Sequence, residues 1–232
     1  MKSSTCFRSL CAAGAFALSL CAQAVTINAT DRGFYDSTGS HDFSNTNYFT
    51  GEPLFGNNSR NFFIFDLAPV SGTVTAATLR LFNPLGSYTS PDPTENYDVH
   101  HVGTSPASLA AGTAGAAGFT DLGDGTVYGG HLASALDNGT FINIALNAAA
   151  IADINAQLGG LFATGGNLTT LTLDGVPESL FGATGGSALS NTQLILTTAA
   201  AVPEPVPEPG SLALLSLGVA LALASRRRRQ KA

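Results

Sequence analysis

Few side chains in this 232-residue chain are of the kinds that do chemistry, and their spacing limits which chemistry is open to them. His100 and His101 are adjacent, and on a strand adjacent side chains point to opposite faces, so the two cannot share one metal ion or one proton. They read as one surface and one half-buried histidine, while His41 and His131 stand alone. Asp31, Asp36 and Asp42 fall in a segment rich in Gly, Ser and Asn and could supply oxygen ligands to a structural calcium ion, with Asp121 and Asp124 as a second set. Neither set has the order of an EF-hand loop, and turn chemistry and loop solvation account for the same residues. Two carboxylates could hydrolyse a glycosidic bond, but no pair is singled out. Gly-x-Ser-x-Gly is absent, and Gly123-Asp124-Gly125 and Gly129-Gly130 lack the lysine and the strand-to-helix setting of a phosphate loop. Glycan binding calls for aromatic platforms. There is no Trp, so Tyr35 and Tyr48, in what reads as a polar early loop, are the glycan-binding candidates, weighed against ordinary packing. No catalytic residue and no cofactor other than the calcium option is assigned.

The elements that must position these residues are β-strands. Phe62-Phe63-Ile64-Phe65 is an aromatic and β-branched run bounded by Asn61 and Asp66, and Ala77, Leu79 and Leu81 alternate with Thr78, Arg80 and Phe82. Tyr97 to Val102, Phe141 to Leu146, Thr170 to Leu173 and Leu194 to Thr197 follow, separated by Gly, Pro, Asn and Asp clusters. One helix interrupts them: Asn147 caps it, Ile151, Ile154 and Leu158 share a face, and Gly159-Gly160 ends it. Ala107 to Gly118 reads as a long loop. The expected fold is mainly β, an antiparallel sandwich with one short helix.

Both chain ends carry a different kind of signal. Lys2 and Arg8, the apolar stretch Leu10 to Leu20, and the small-x-small site at Ala22 and Ala24 make a secretory signal peptide cut before Val25. Leu18-Ser19-Leu20-Cys21 is only a faint lipobox, because Leu20 is too large for its position. At the other end, Pro205, Pro207 and Pro209 precede the apolar run Leu212 to Ala224, which Arg226, Arg227, Arg228 and Arg229 close. As a helix that run spans roughly 20 Å, short of a hydrocarbon core of about 30 Å, and arginines that snorkel to the headgroups make up part of the mismatch. Retention of the arginines inside places the preceding domain outside the cytoplasmic membrane. The chain therefore divides into a signal peptide (1–24), an extracytoplasmic β domain (25–201), a Pro/Glu linker (202–211), a membrane helix (212–225) and a basic cytoplasmic tail (226–232).

The composition of the domain follows from that division. Cys6, Cys11 and Cys21 all lie in the signal peptide, which removes disulfides, thiol catalysis and Cys-ligated zinc from the mature protein. The body keeps three arginines against fourteen acidic residues, a net charge of −11. Such a surface repels nucleic acid and anionic polymers and favours solubility outside the cell.

The C-terminal order of Pro207-Glu208-Pro209, apolar segment and Arg226 to Arg229 resembles the PEP-CTERM sorting signal of Gram-negative bacteria. The resemblance implies that the chain is a substrate of exosortase, a membrane-embedded cysteine transpeptidase, in bacteria that make extracellular polysaccharide. Val202-Pro203-Glu204-Pro205 repeats the motif further from the membrane segment and reads as spacer. In the body, Arg60 to Leu67 followed by Ser71 to Leu81 resembles DNRLRE-type modules, and Leu146 to Ala150 and Gln193 to Leu196 are similar to that family as well. That likeness implies a jelly-roll sandwich, in a family of which some members bind polysaccharide. Three functions follow as expectations: a non-catalytic surface or matrix protein sorted by exosortase and associated with polysaccharide, a carbohydrate-binding module, or a secreted polysaccharide-active enzyme with a carboxylate pair in a cleft.

Overall fold

The first strand organises the molecule. In the computed structural model, which describes residues 23–53, 56–182 and 188–199, β1 (Gln23–Asp36) is long enough to serve two sheet regions in turn. Its first half, Gln23 to Asn28, pairs antiparallel with β10 (Thr192–Ala199), and its second half, Ala29 to Asp36, with β3 (Ser59–Asp66). A bulge between Ala29 and Asp31 makes the change of partner, as bulges do where a strand bends between sheets. From β10 the sheet continues through β4 (Thr73–Asn83) to β7 (Thr140–Leu146). On the other side it continues from β3 through β8 (Leu161–Leu168) and β5 (Thr94–His101) to β6 (Val127–Ser134). The order is β6-β5-β8-β3-β1-β10-β4-β7, with the short β2 (Thr50–Glu52) appended to β3 and β9 (Glu178–Leu180) paired in turn with β2.

The outermost strands of this path, β6 and β7, come back toward each other. The Asn147 N–H donates to Tyr128 O at 2.8 Å and its side-chain amide to Val127 O at 2.7 Å, so the rolled sheet is nearly closed like a barrel. The inside holds the main core, including Phe63, Phe65, Leu79, Leu81, Tyr97, Phe162, Leu194 and Leu196. A second, smaller core lies on the outer face of β3 and β8: Phe62, Ile64 and Ala163 pack with Tyr35, Leu109 and Leu122. Phe62 to Phe65 is buried on both faces for this reason, and so reads as an unbroken apolar run rather than an alternation. β10 has one solvent face and alternates strictly.

The expected antiparallel, mainly β architecture is present, but as one rolled sheet sharing β1, and with three α-helices among the described residues where one was expected in the domain. α3 (Ala148–Ala156) is the expected helix, its amides Ala149 and Ala150 capped by Asn147 Oδ1. The segment read as a long loop instead holds α1 (Pro106–Ala110) and α2 (Gly115–Asp124), which roof the second core. Ser105 caps α1 through the Ser108 N–H and Pro106 takes the first helical turn, a start signal that the small-residue composition obscured. Thr170 to Leu173 is not a strand. Leu173 has φ +55°, and the Thr172 N–H donates to a Glu178 carboxylate oxygen instead of a ladder partner.

Candidate functional site

Burial decides the fate of the two tyrosines expected to form a glycan platform, Tyr35 within β1 and Tyr48 in the segment before β2. Tyr35 and Tyr48 are both fully buried, and neither presents a ring face to solvent. Tyr35 points to the outer core, where its hydroxyl donates to Ser108 O and Leu109 O at 3.0 and 2.9 Å. Burial raises its pKa, against a hydrogen bond from the Ala114 N–H that lowers it. Tyr48 fills the inner core against Phe63 and Phe181, with the Arg32 guanidinium 4.7 Å from its ring centroid and its hydroxyl donating to Phe82 O at 2.6 Å. Burial pushes its phenol up to about 12. Beneath it, Asn61 donates from Nδ2 to Tyr48 O at 3.0 Å and accepts from the Tyr97 hydroxyl at 2.9 Å, with all three residues buried.

The residues one step away face the other way. Phe34 and Asp36 flank Tyr35, Asn47 and Phe49 flank Tyr48, and these four line a groove of about 290 Å³ together with Pro53, Asn57 and Ser59. The register explains the grouping: Asp36 opposes Ser59 on β3, and Ser59 in turn opposes Gly51 on β2. Phe34 and Phe49 meet edge to face, 6.0 Å apart at 69°. Asp36 Oδ1 accepts from the Thr38 N–H, the Thr38 hydroxyl and the Ser40 N–H, while Oδ2 has a long 3.4 Å contact from Asn57 Nδ2. Burial opposes ionisation of Asp36, but these hydrogen bonds outweigh it and hold the carboxyl below its ordinary range. The result is a fixed anion beside two partly exposed aromatic rings.

The expected calcium ligands do not converge. Asp36 closes the turn just described, Asp42 closes a second one through Ser44, and Asp31 accepts from the Arg32 N–H. Asp121 accepts from the Gly103 and Thr104 N–H groups and ties α2 to the segment after β5, while Asp124 lies near the guanidinium of Arg60. Among the described residues, the carboxylates that do meet are Asp92, Glu95 and Glu178, each offering an oxygen within 4.8 Å of the others. A hard divalent cation takes such oxygen donors. Glu95 and Glu178 are buried and already accept from Ser90, Thr170 and Thr172. These three residues come from the β5 approach and from β9, so sequence spacing could not have grouped them.

The histidines point apart as expected. His100 is buried with Nδ1 3.0 Å from Gly125 O, whereas His101 sets its ring edge against Tyr128 at 6.0 Å. His131 Nε2 lies 3.1 Å from Asp137 Oδ1. His41 stacks on Tyr35 at 5.0 Å and meets Phe62 edge-on, over Gly33, where a Cβ would stand 2.5 Å from the His41 ring.

Of the expected targeting residues, Ala24 is exposed in β1, so a cut before Val25 trims two residues from the start of that strand. Ala22, Pro207, Glu208, Pro209, Leu212 to Ala224 and Arg226 to Arg229 lie outside the described residues. No helix among the described residues is long and apolar enough to cross a membrane. No curated protein matches this chain significantly. Residues 205–229 match the family description of the PEP-CTERM protein-sorting motif, a likeness of the C-terminal segment that makes this chain a carrier of that signal.

Proposed function

We propose that this is a non-catalytic protein of the cell surface or extracellular matrix, delivered through its PEP-CTERM signal by an exosortase-type transpeptidase and associated there with extracellular polysaccharide. The motif match at residues 205–229 carries the reading, since that signal implies export and exosortase sorting. The signal peptide expected at the other end acts in the same direction, and the acidic, thiol-free composition suits a domain held outside the cell. Binding is favoured over hydrolysis by the groove itself. Among the described residues Asp36 is the single carboxylate in its lining, whereas glycoside hydrolysis ordinarily uses two flanking the bond.

In this reading Glu208, set between Pro207 and Pro209 within the matched motif, is the residue that the sorting enzyme recognises. Glu208→Ala, or deletion of Arg226 to Arg229, is expected to leave the protein unprocessed or misplaced. Intact-mass measurement of the cell-surface form tests both ends together: a mature N-terminus at Val25 and loss of the basic tail are expected. Equal processing and display of mutant and wild type would sink the proposal.

A further inference from the structure

We infer that the groove between Phe34, Asp36, Asn47, Phe49 and Asn57 binds a neutral pyranose unit of a polysaccharide. The inference rests on the surface-protein reading only in that such a protein meets polysaccharide; the chemistry of the site is argued from its lining. A pyranose has apolar C–H faces and an equator of hydroxyls. It therefore needs an aromatic surface, at least one strong acceptor and amide groups within reach, and this groove holds all three. The edge-to-face contact of Phe34 and Phe49 orients the two rings before a ligand arrives. The three donors on Asp36 Oδ1 fix the carboxylate likewise, and they leave Oδ2 with only the long contact from Asn57. A charged acceptor held in place makes the stronger class of hydrogen bond to a hydroxyl, with little ordering left to do on binding. The cavity of about 290 Å³ sits at the small end of ligand sites, about 300 Å³, which suits one ring of a longer chain.

The lining also excludes other ligands. Among the described residues it contains no Lys or Arg, and Asp36 with the acidic body around it repels phosphates, uronates and nucleic acid. A basic peptide could pair with Asp36, but phenylalanine is not the strongest aromatic partner for a cation, and the Asn57 amide, in long contact with Asp36, offers a donor that an ammonium group has no use for.

The test is calorimetric titration of the full chain, purified in detergent, with neutral hexasaccharides (glucan, mannan and galactan), with oligogalacturonate and with oligolysine. Saturable binding of at least one neutral hexasaccharide is expected, little changed between low and high salt, and weakened about tenfold or more in Phe49→Leu and in Asp36→Ala. Phe49→Leu keeps apolar volume while removing the ring, so thermal midpoints near that of wild type will separate lost binding from lost folding. Binding of no neutral hexasaccharide, binding unaffected by both substitutions, or salt-sensitive binding of oligolysine alone would overturn the assignment. A protein that is sorted to the surface yet binds no sugar ends this inference and leaves the sorting proposal standing; sugar binding by a protein that Glu208→Ala does not misplace does the reverse.

Discussion

Tyr97→Phe removes one oxygen atom, and the structure says what that atom does. The Tyr97 hydroxyl is fully buried and donates to Asn61 Oδ1 at 2.9 Å, while Asn61 Nδ2 holds Tyr48 O at 3.0 Å. The substitution gives up one hydrogen bond, worth about 0.5–1.5 kcal/mol net, and strands a buried amide oxygen, which costs about 1–3 kcal/mol. Because the two figures overlap, the expected loss is about 2 kcal/mol. For a domain of this size each kcal/mol lowers Tm by about 2–4 °C, so a fall of about 4–8 °C is expected by calorimetry. Tyr88→Phe is the control, because its hydroxyl donates to Asp92 O at the exposed surface and should cost less than about 0.5 kcal/mol. A Tyr97→Phe midpoint within about 1 °C of wild type, or equal to that of Tyr88→Phe, would refute the claim that this bond anchors the segment carrying Asn47 and Phe49.

Gly51 has φ +115°, and a Cβ there would stand 2.1 Å from Glu178 O; Gly51→Ala should cost about 3 kcal/mol or more in urea unfolding, since strain and overlap act together. Glu178 accepts from both the N–H and the hydroxyl of Thr172. Glu178→Ala should therefore lose about 1–3 kcal/mol, and Glu178→Gln less, because it keeps an acceptor and removes a negative charge beside Glu95; equal midpoints would contradict this. Burial lowers the pKa of His41, outweighing the hydrogen bond to Phe34 O and the charges of Asp31 and Asp42, which raise it. The unfolded chain then takes up the proton first, so stability is full above the ordinary histidine pKa of about 6.5 and declines as pH falls through it. His41→Phe should flatten that decline between about pH 7 and 5, and an unchanged slope would remove His41 as its source.

Where the sequence was legible, one physical pattern acted alone. Phe62 to Phe65 and the alternation of Ala77, Leu79 and Leu81 are strands in the structure because their period matches the burial they meet. Asn147 caps α3 through Oδ1, which accepts from the Ala149 and Ala150 N–H groups. Misreadings arose where glycine or small residues muted the signal. β6 carries Gly129-Gly130 and β8 carries Gly165-Gly166, and α1 and α2 lie in a stretch of Ala, Gly, Ser and Thr. The aromatic site was misassigned for a different reason. Composition located the correct segments, but only pairing fixes which parity of a strand faces outward. With Phe34 set opposite Asn61 and Asp36 opposite Ser59, the half-buried groove took Phe34, Asp36, Asn47 and Phe49, while Tyr35 was covered by the outer core and Tyr48 by the inner one.

The same long strand also separates the two functions along the domain. At its start, Gln23 pairs with Thr198, one residue from Ala199, where the described chain leaves the sheet toward its C-terminal segment. At its other end Phe34 and Asp36 enter the groove. Gln23 and Phe34 are eleven residue steps of extended chain apart, a span on the order of 35 Å before coiling shortens it. The β1 bulge at Ala29 to Asp31 falls between, where the strand passes from β10 to β3. The end of β10 and the groove thus meet opposite ends of β1. Changes to the C-terminal segment should leave the groove's affinity untouched, and substitutions in the groove should leave sorting untouched. Coupling between the two, seen as altered sugar affinity when residues 202–232 are removed, would mean that β1 does not isolate them.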